Sequence, residues 1–244
     1  MMPRSVRSFF VAVQFLTRLP VPRIDGFEPG DLARSAVYFP AVGAIIGMLL
    51  AATSWCLHAA GPWVSGLTTL VVWIWITGAL HLDGLGDVAD GLGASHGASD
   101  RFDEVVEDPH VGNFAVVAIA LQISAKLVLL AHIADGSRAW ALVLIPAWAR
   151  WGTLVWSRSL PPMKAGLGRR LSHCVSWGGI AMWGVLLGVV SALVARPALA
   201  ALMAVPLIAL YWRYRLGGVS GDCLGAGVEI AETLLLLAFA LRPA

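Results

Sequence analysis

The chain has 244 residues, is 58% hydrophobic and 13% charged, and carries a formal net charge of +2; its mean hydropathy is +0.77. Soluble domains are roughly 45–50% apolar and about 25% charged, so composition excludes a water-soluble fold and points to an integral membrane protein. The small net charge, with no basic repeat or recognition motif, speaks against a nucleic-acid partner.

Residues 1–35 are basic, with Arg4, Arg7, Arg18, Arg23 and Arg34. Phe9, Phe10, Val13 and Leu16 fall on one face of a short helix ended by Pro20 and Pro22. The segment reads either as an amphipathic helix on an anionic membrane surface or as a plain basic tail. Its apolar run, 8–16, is too short to span and lacks a small-residue cleavage site, so no cleavable signal is expected. The first span is expected over 36–57, where Gly43 and Gly47 form a small-xxx-small pattern suited to close helix packing. A tight turn at 58–62 leads into the second span, 63–82.

That span runs straight into 80–93, L-H-L-D-G-L-G-D-V-A-D-G-L-G. Asp83, Asp87 and Asp90 are offset by four and three, which on a helix puts three carboxylates on one face. Such carboxylates repel unless a cation sits between them or one takes a proton. Hard oxygen ligands suit Mg²⁺, Mn²⁺ or Ca²⁺ rather than Zn²⁺. The plain alternative is a solvated turn between two membrane segments.

The polar segment 83–111 is expected as an acidic loop: 95–99 has loop composition, and 100–108, D-R-F-D-E-V-V-E-D, reads as a short amphipathic helix stopped by Pro109. Glu107 and Asp108 then stand just before the third span, 113–133. A turn at 135–138 precedes the fourth span, 139–156, which Pro146 breaks. Lys126 and Arg150 lie inside these two spans. A cation there costs at least about 2.5–3.5 kcal/mol on insertion scales, so each faces a partner, a phosphate or water; snorkelling or a structural ion pair is the alternative.

A basic loop, 158–174, carries Arg158, Lys164, Arg169, Arg170 and His173. The fifth and sixth spans are expected over 175–195 and 198–211. Next comes a glycine-rich loop, 217–227, G-G-V-S-G-D-C-L-G-A-G, in which Ser220, the backbone around Gly221 and the acidic Asp222 offer a phosphate cradle. The seventh span, 228–241, carries Glu229 and Glu232 in its first turns. It is short against the usual ~20 residues, unless it begins within the glycine run as a bent helix. Cys56, Cys174 and Cys223 are scattered and make neither a disulfide framework nor a metal pair. Eleven tryptophans suit interfaces and helix packing.

The expected fold is an all-α integral membrane bundle of about seven transmembrane helices, a single domain over 1–244 without internal repeat. A cytoplasmic N-terminus puts twelve of the seventeen Lys and Arg residues on the cytoplasmic side and three on the other. The acidic, basic and glycine-rich loops then share that side. Carboxylates for Mg²⁺, with cationic and backbone donors for phosphate, are the parts phosphoryl transfer requires; an aspartate can also take a proton from an attacking hydroxyl.

Four stretches carry a resemblance: F-L-T-R-L-P-V-P (15–22), H-L-D-G-L-G-D-V-A-D-G-L (81–92), E-D-P-H-V-G-N-F (107–114) and G-G-V-S-G-D-C-L-G-A (217–226). In order and spacing the chain resembles the cobalamin synthases, the adenosylcobinamide-GDP ribazoletransferases of bacterial and archaeal membranes. The resemblance implies a multi-pass enzyme of the cell inner membrane that joins adenosylcobinamide-GDP to α-ribazole or its 5′-phosphate. GMP is released, Mg²⁺ is the cofactor and the lipid bilayer is the surrounding partner. It implies Asp83, Asp87, Asp90 and Asp222 as acidic site residues, and Asp83, Asp87, Asp90 and Asp108 around the metal. Asp108 is favoured over Glu107, where many relatives carry lysine or arginine. Arg18, Lys126, Arg150, Ser220, Gly221 and Asp222 are the substrate and phosphate candidates. A homo-oligomer is left open. Two other readings stand beside this one: a CDP-alcohol-type phospholipid phosphotransferase, and an ion-coupled transporter using Lys126, Arg150, Glu229 and Glu232.

Overall fold

The computed structural model describes residues 3–22, 24, 29–95, 111–133, 139–163, 171 and 174–241. These form ten principal helices: α1 (Arg4–Leu16), α2 (Pro29–Ser35), α3 (Phe39–Leu57), α4 (Pro62–Thr77), α5 (Leu80–Ser95), α6 (Asn113–Ile133), α7 (Leu144–Ser159), α8 (Trp177–Val194), α9 (Ala201–Leu216) and α10 (Gly221–Ala240). Short 3₁₀ turns precede α3, α4, α7 and α9. No strand occurs among the described residues, where Pro162 and Val219 make an isolated bridge. The all-α membrane class is therefore as expected. The helix expected over 100–108 and the turn at 135–138 lie outside the described residues.

Among the described residues five stretches are long and apolar enough to cross a membrane: Gly30–Ala60, Asn113–Ile133, Trp177–Val194, Arg196–Leu216 and Gly221–Ala240. A bent pair, α4 with α5, raises the count to six, against the seven expected. The shortfall is at 139–156. That stretch starts as a 3₁₀ turn, Ala139–Val143, and α7 itself has 16 residues, a length of ~24 Å against a hydrocarbon layer of ~30 Å. Helix α7 is buried rather than lipid-facing, with Ile145, Ala147, Trp148, Ala149, Arg150 and Trp156 fully buried, and it carries the chain back through the bundle to the end where Pro161 meets Val219.

The second expected span stops early, at Thr77. Gly78 (φ 62°) and Ala79 (φ 59°) are left-handed. The Ala79 and Gly78 N–H groups donate to Ile74 O (3.1 Å) and Trp75 O (3.2 Å), the pair of bonds that closes a helix with a Schellman motif. The Arg18 N–H donates to the freed Ile76 carbonyl (2.7 Å), so the N-terminal segment completes the corner. Beyond it α5 leaves the line of α4 by 86°. Three aspartates on one short helix are costly in lipid, so α4, which has no charged residue, is the apolar half of the pair and α5, with Asp83 exposed, is its polar end. The stretch 217–227 is a loop only to Ser220; from Gly221 onward it is the first part of α10.

Close packing follows the small residues. A Cβ on Gly43 or Gly47 would strike the backbone of Pro146 and Ala147, or of Leu142 and Val143, so α3 lies directly on the start of α7. Trp156 is fully buried, donates its indole N–H to Val205 O (2.8 Å), and fits because Gly152 and Gly227 carry no side chain. Tryptophan serves both expected uses, since Trp148 and Trp212 are also buried whereas Trp55, Trp63, Trp75 and Trp177 are exposed. The apolar face of α1 is turned to protein rather than lipid: Val11, Ala12, Val13 and Leu16 are buried, and Phe15 stacks on Phe39 at 5.9 Å.

Candidate active site

Helices α5 and α10 cross backbone against backbone. A Cβ on Gly84 would lie 2.9 Å from Asp222 O and 3.1 Å from Asp222 Cα, and one on Gly225 would lie 3.5 Å from His81 Cα and O. This contact sets Asp83 and Asp87 beside Asp222. Asp83 is exposed, Asp87 half-buried and Asp90 buried. Burial first, then the charges of Asp83, Asp222 and Asp90, push Asp87 up to about 6. The cluster therefore favours a proton or a cation.

The start of α10 is fixed by Ser220, whose Oγ accepts from Cys223 N–H (3.2 Å) and whose hydroxyl lies 3.4 Å from Asp222 Oδ2. Ser220 is thus an N-cap in the usual sense. The chain leaving α7 is tied to the same turn: Val219 N–H donates to Pro161 O (2.9 Å) and Met163 N–H to Val219 O (3.1 Å). The end of α4, the end of α7 and the start of α10 therefore meet at one end of the bundle. Arg18 is exposed at the same corner, where its Nε lies 2.5 Å from where a Gly78 Cβ would stand. Glu107, Asp108, Lys164, Arg169 and Arg170 lie outside the described residues.

Asp90 is occupied differently from its two neighbours. Its Oδ2 accepts from Gly112 N–H (2.7 Å) and its Oδ1 from Ala115 N–H (2.9 Å). Among the described residues no three His, Cys, Asp or Glu side chains converge as a metal cage. Oxygen donors without a closed cage suit Mg²⁺, which keeps several waters and typically takes one or two carboxylates together with substrate phosphates. Asp83, Asp87 and Asp222 fit that demand.

Lys126 and Arg150 are not at this end as free cations. Lys126 Nζ pairs with Glu229 Oε2 (2.7 Å) and Glu232 Oε2 (2.5 Å), and lies 4.5 Å over the Trp73 ring. Arg150 Nη1 donates to Glu232 Oε1, and its Nη2 stands 3.4 Å from His81 Nδ1. Gln122 Nε2 donates to Glu229 Oε2 and Thr233 Oγ1, both at 2.8 Å. Lys126, Arg150, Glu229 and Glu232 are 3%, 0%, 5% and 0% exposed. The structural ion pair, one of the two readings the sequence left open, is the arrangement found. His81 and Gly225 were not singled out from the sequence. The spacing of Glu229 with Glu232, and of Gln122 with Lys126, marks one face of α10 and one of α6. Only the fold shows that these faces meet.

Fold and site together define a class: a polytopic, all-helical membrane protein that gathers carboxylates where a bent helix crosses the acidic start of another. The family model CobS, cobalamin-5-phosphate synthase, matches residues 8–240, and the chain belongs to that family. It is 48% identical to the adenosylcobinamide-GDP ribazoletransferase of Laribacter hongkongensis over 238 residues, covering 95% of this chain and 96% of that protein. It is 44% identical over 233 residues to the protein of that name from Thiobacillus denitrificans, covering 95% of this chain and 94% of the relative. The counterpart in Novosphingobium aromaticivorans is 44% identical over 243 residues, 97% of each chain. No solved structure matches.

Proposed function

We propose that this chain joins adenosylcobinamide-GDP to α-ribazole or α-ribazole 5′-phosphate, yielding adenosylcobalamin or its 5′-phosphate and GMP. Relatives of 44–48% identity carry the corresponding name. The observation in this chain that supports the reading is the α5–α10 crossing at Gly84 and Gly225, which sets Asp83 and Asp87 beside Asp222. A ribose hydroxyl of the ribazole attacks the phosphorus on the cobinamide side; a P–O bond forms there and the P–O bond to GMP breaks. The hydroxyl proton passes to a carboxylate of the Asp83, Asp87 and Asp222 group.

Mg²⁺ is the cofactor of this reading, held by Asp83 and Asp87 with Asp222 close by and Asp108 as a further candidate; when bound it neutralises charge on the diphosphate. Arg18, exposed at the α4–α5 corner, is the candidate guanidinium for phosphate oxygens. Ser220 and Gly221 hold the start of α10 on the same side. Lys126 and Arg150 support the bundle instead, and their closed pairing with Glu229 and Glu232 leaves the transporter reading without free carriers. The site end faces the cytoplasm of the cell inner membrane, the side on which the basic residues gather.

The test is purified protein in detergent with adenosylcobinamide-GDP, α-ribazole and Mg²⁺. GMP and a cobalamin product are expected; absence of both overturns the reading, and headgroup transfer from a CDP-alcohol instead assigns the phospholipid class. Asp83→Ala and Asp87→Ala each lower turnover about 100-fold or more while remaining in the membrane. Near-normal activity in both reduces the acidic helix to a structural element. A reporter fused after residue 244 reads extracytoplasmic; a cytoplasmic signal refutes the orientation.

A further inference from the structure

The three aspartates of α5 follow one another at helical spacing, but the structure does not use them alike. We infer that Asp90 is a remote N-cap, a carboxylate on α5 that latches the start of α6, and that it is not a third metal ligand. The latch stands on geometry alone; what it leaves to Asp83 and Asp87 rests on the reading above.

The Gly112 carbonyl accepts from Val116 N–H (3.3 Å), which makes Gly112 the N-cap position of α6. An N-cap side chain ordinarily accepts from the N–H two or three residues on, and glycine has none to offer. Asp90 supplies it from another helix. Its Oδ1 takes the Ala115 N–H, three residues beyond the cap, at 2.9 Å, and its Oδ2 takes the Gly112 N–H at 2.7 Å. These are charge-assisted bonds at the positive end of a 21-residue helix. Asp90 is 9% exposed, whereas Asp83 is exposed to solvent.

The surrounding glycines fit the same function. A Cβ on Gly112 would lie 2.5–2.8 Å from Asp90 Oδ1, Cγ and Oδ2, so no side chain is accommodated there while the latch is closed. Gly86 meets Ala115 and Ile119, and Gly93 meets the Phe114 ring. Gly86, Asp90 and Gly93 thus form the stripe of α5 that lies against α6. On this assignment the ligand-bearing carboxylates of the motif are Asp83 and Asp87, and the third aspartate fixes where α6 begins.

The distinguishing variant is Gly112→Ala, which removes no oxygen atom yet displaces the Asp90 carboxylate. Hydrogen–deuterium exchange of a peptide covering 111–118 in the full-length protein reads the latch, and Mn²⁺ titration followed by electron paramagnetic resonance reads the metal. Asp90→Ala and Gly112→Ala are both expected to speed exchange at 112 and 115 about tenfold or more. Whatever Mn²⁺ affinity Asp90→Ala loses, Gly112→Ala loses equally. Unchanged exchange in Gly112→Ala, or tenfold weaker Mn²⁺ binding in Asp90→Ala that Gly112→Ala does not share, overturns the assignment. Should Asp90→Ala fail to fold, Asp90→Asn, which keeps one acceptor oxygen, is read by the same two outcomes. Wild-type protein that binds no Mn²⁺ refutes the metal reading, and the exchange measurement still decides the latch.

Discussion

Removing the charge of Glu232 while keeping its shape is the sharpest test of the buried ionic group. Glu232 is fully buried and accepts from both Lys126 and Arg150. In Glu232→Gln the pair Lys126–Glu229 remains at 2.7 Å, but Arg150 loses its carboxylate and keeps only neutral acceptors: the new amide oxygen, the imidazole of His81 at 3.4 Å and the Pro146 carbonyl at 3.4 Å. One positive charge is left uncompensated among four helices. Breaking a buried pair on one side costs about 3–5 kcal/mol, whereas replacing both partners by apolar side chains of similar volume is often close to neutral. At about 2–4 °C per kcal/mol for a chain of this size, Glu232→Gln lowers the melting temperature in detergent by roughly 6–20 °C. The double variant Arg150→Met with Glu232→Met removes one charge of each sign and recovers most of that loss. Equal melting temperatures for Glu232→Gln and wild type, or a double variant worse than the single, refute the reasoning, because both require the charges to be hydrated rather than paired.

Gly84→Ala places a methyl group 2.9 Å from the Asp222 carbonyl oxygen, a backbone atom that cannot rotate away. It separates α5 from α10, costs about 1–3 kcal/mol and lowers turnover more than Gly188→Ala, whose added Cβ meets nothing within 4 Å; equal activities would show that the crossing does not position the carboxylates. Acidity acts in two directions at Asp87, which is pushed up to about 6. The folded apo-protein holds this proton more tightly than the unfolded chain, so stability from this group is gained below about pH 6 and lost as pH rises through it. Metal needs the ionised carboxylate, so Mn²⁺ affinity is level above about pH 7 and falls about tenfold per unit below 6; an affinity flat from about pH 7 to 5 would remove Asp87 from the ligand set.

The sequence made the all-helical membrane class and the acidic motif plain, because each depends on local composition and spacing. Gly43 and Gly47 announced close packing, and they lie against the backbone of α7 and the turn before it. The break at Gly78 and Ala79 was not legible in the same way. Ala79 is no usual left-handed residue, and what holds the corner is the Arg18 N–H reaching Ile76 from some sixty residues upstream. A hydropathy window reads straight through such a bend, since α4 and α5 pass together as one apolar stretch. The fourth expected span, 139–156, falls short of a membrane-length helix for the opposite reason: it is apolar, yet its surface is spent on neighbouring helices.

Buried charge follows one rule at both places where the sequence left alternatives open. A buried cation or carboxylate must find a partner, and the chain supplies it from a distant helix rather than from substrate. Lys126 and Arg150 find Glu229 and Glu232 about a hundred residues away, and Asp90 finds the amides of Gly112 and Ala115. Spacing along one helix shows which side chains share a face, but not which face is turned to protein. Among the described residues of α5 and α10, the carboxylates still turned outward after this pairing are Asp83 and the half-buried Asp87 and Asp222. Their crowding raises Asp87, which is the electrostatic condition a phosphate-bound cation relieves. Paired charges hold the four helices in register, and unpaired carboxylates at the end of the bundle remain available for chemistry.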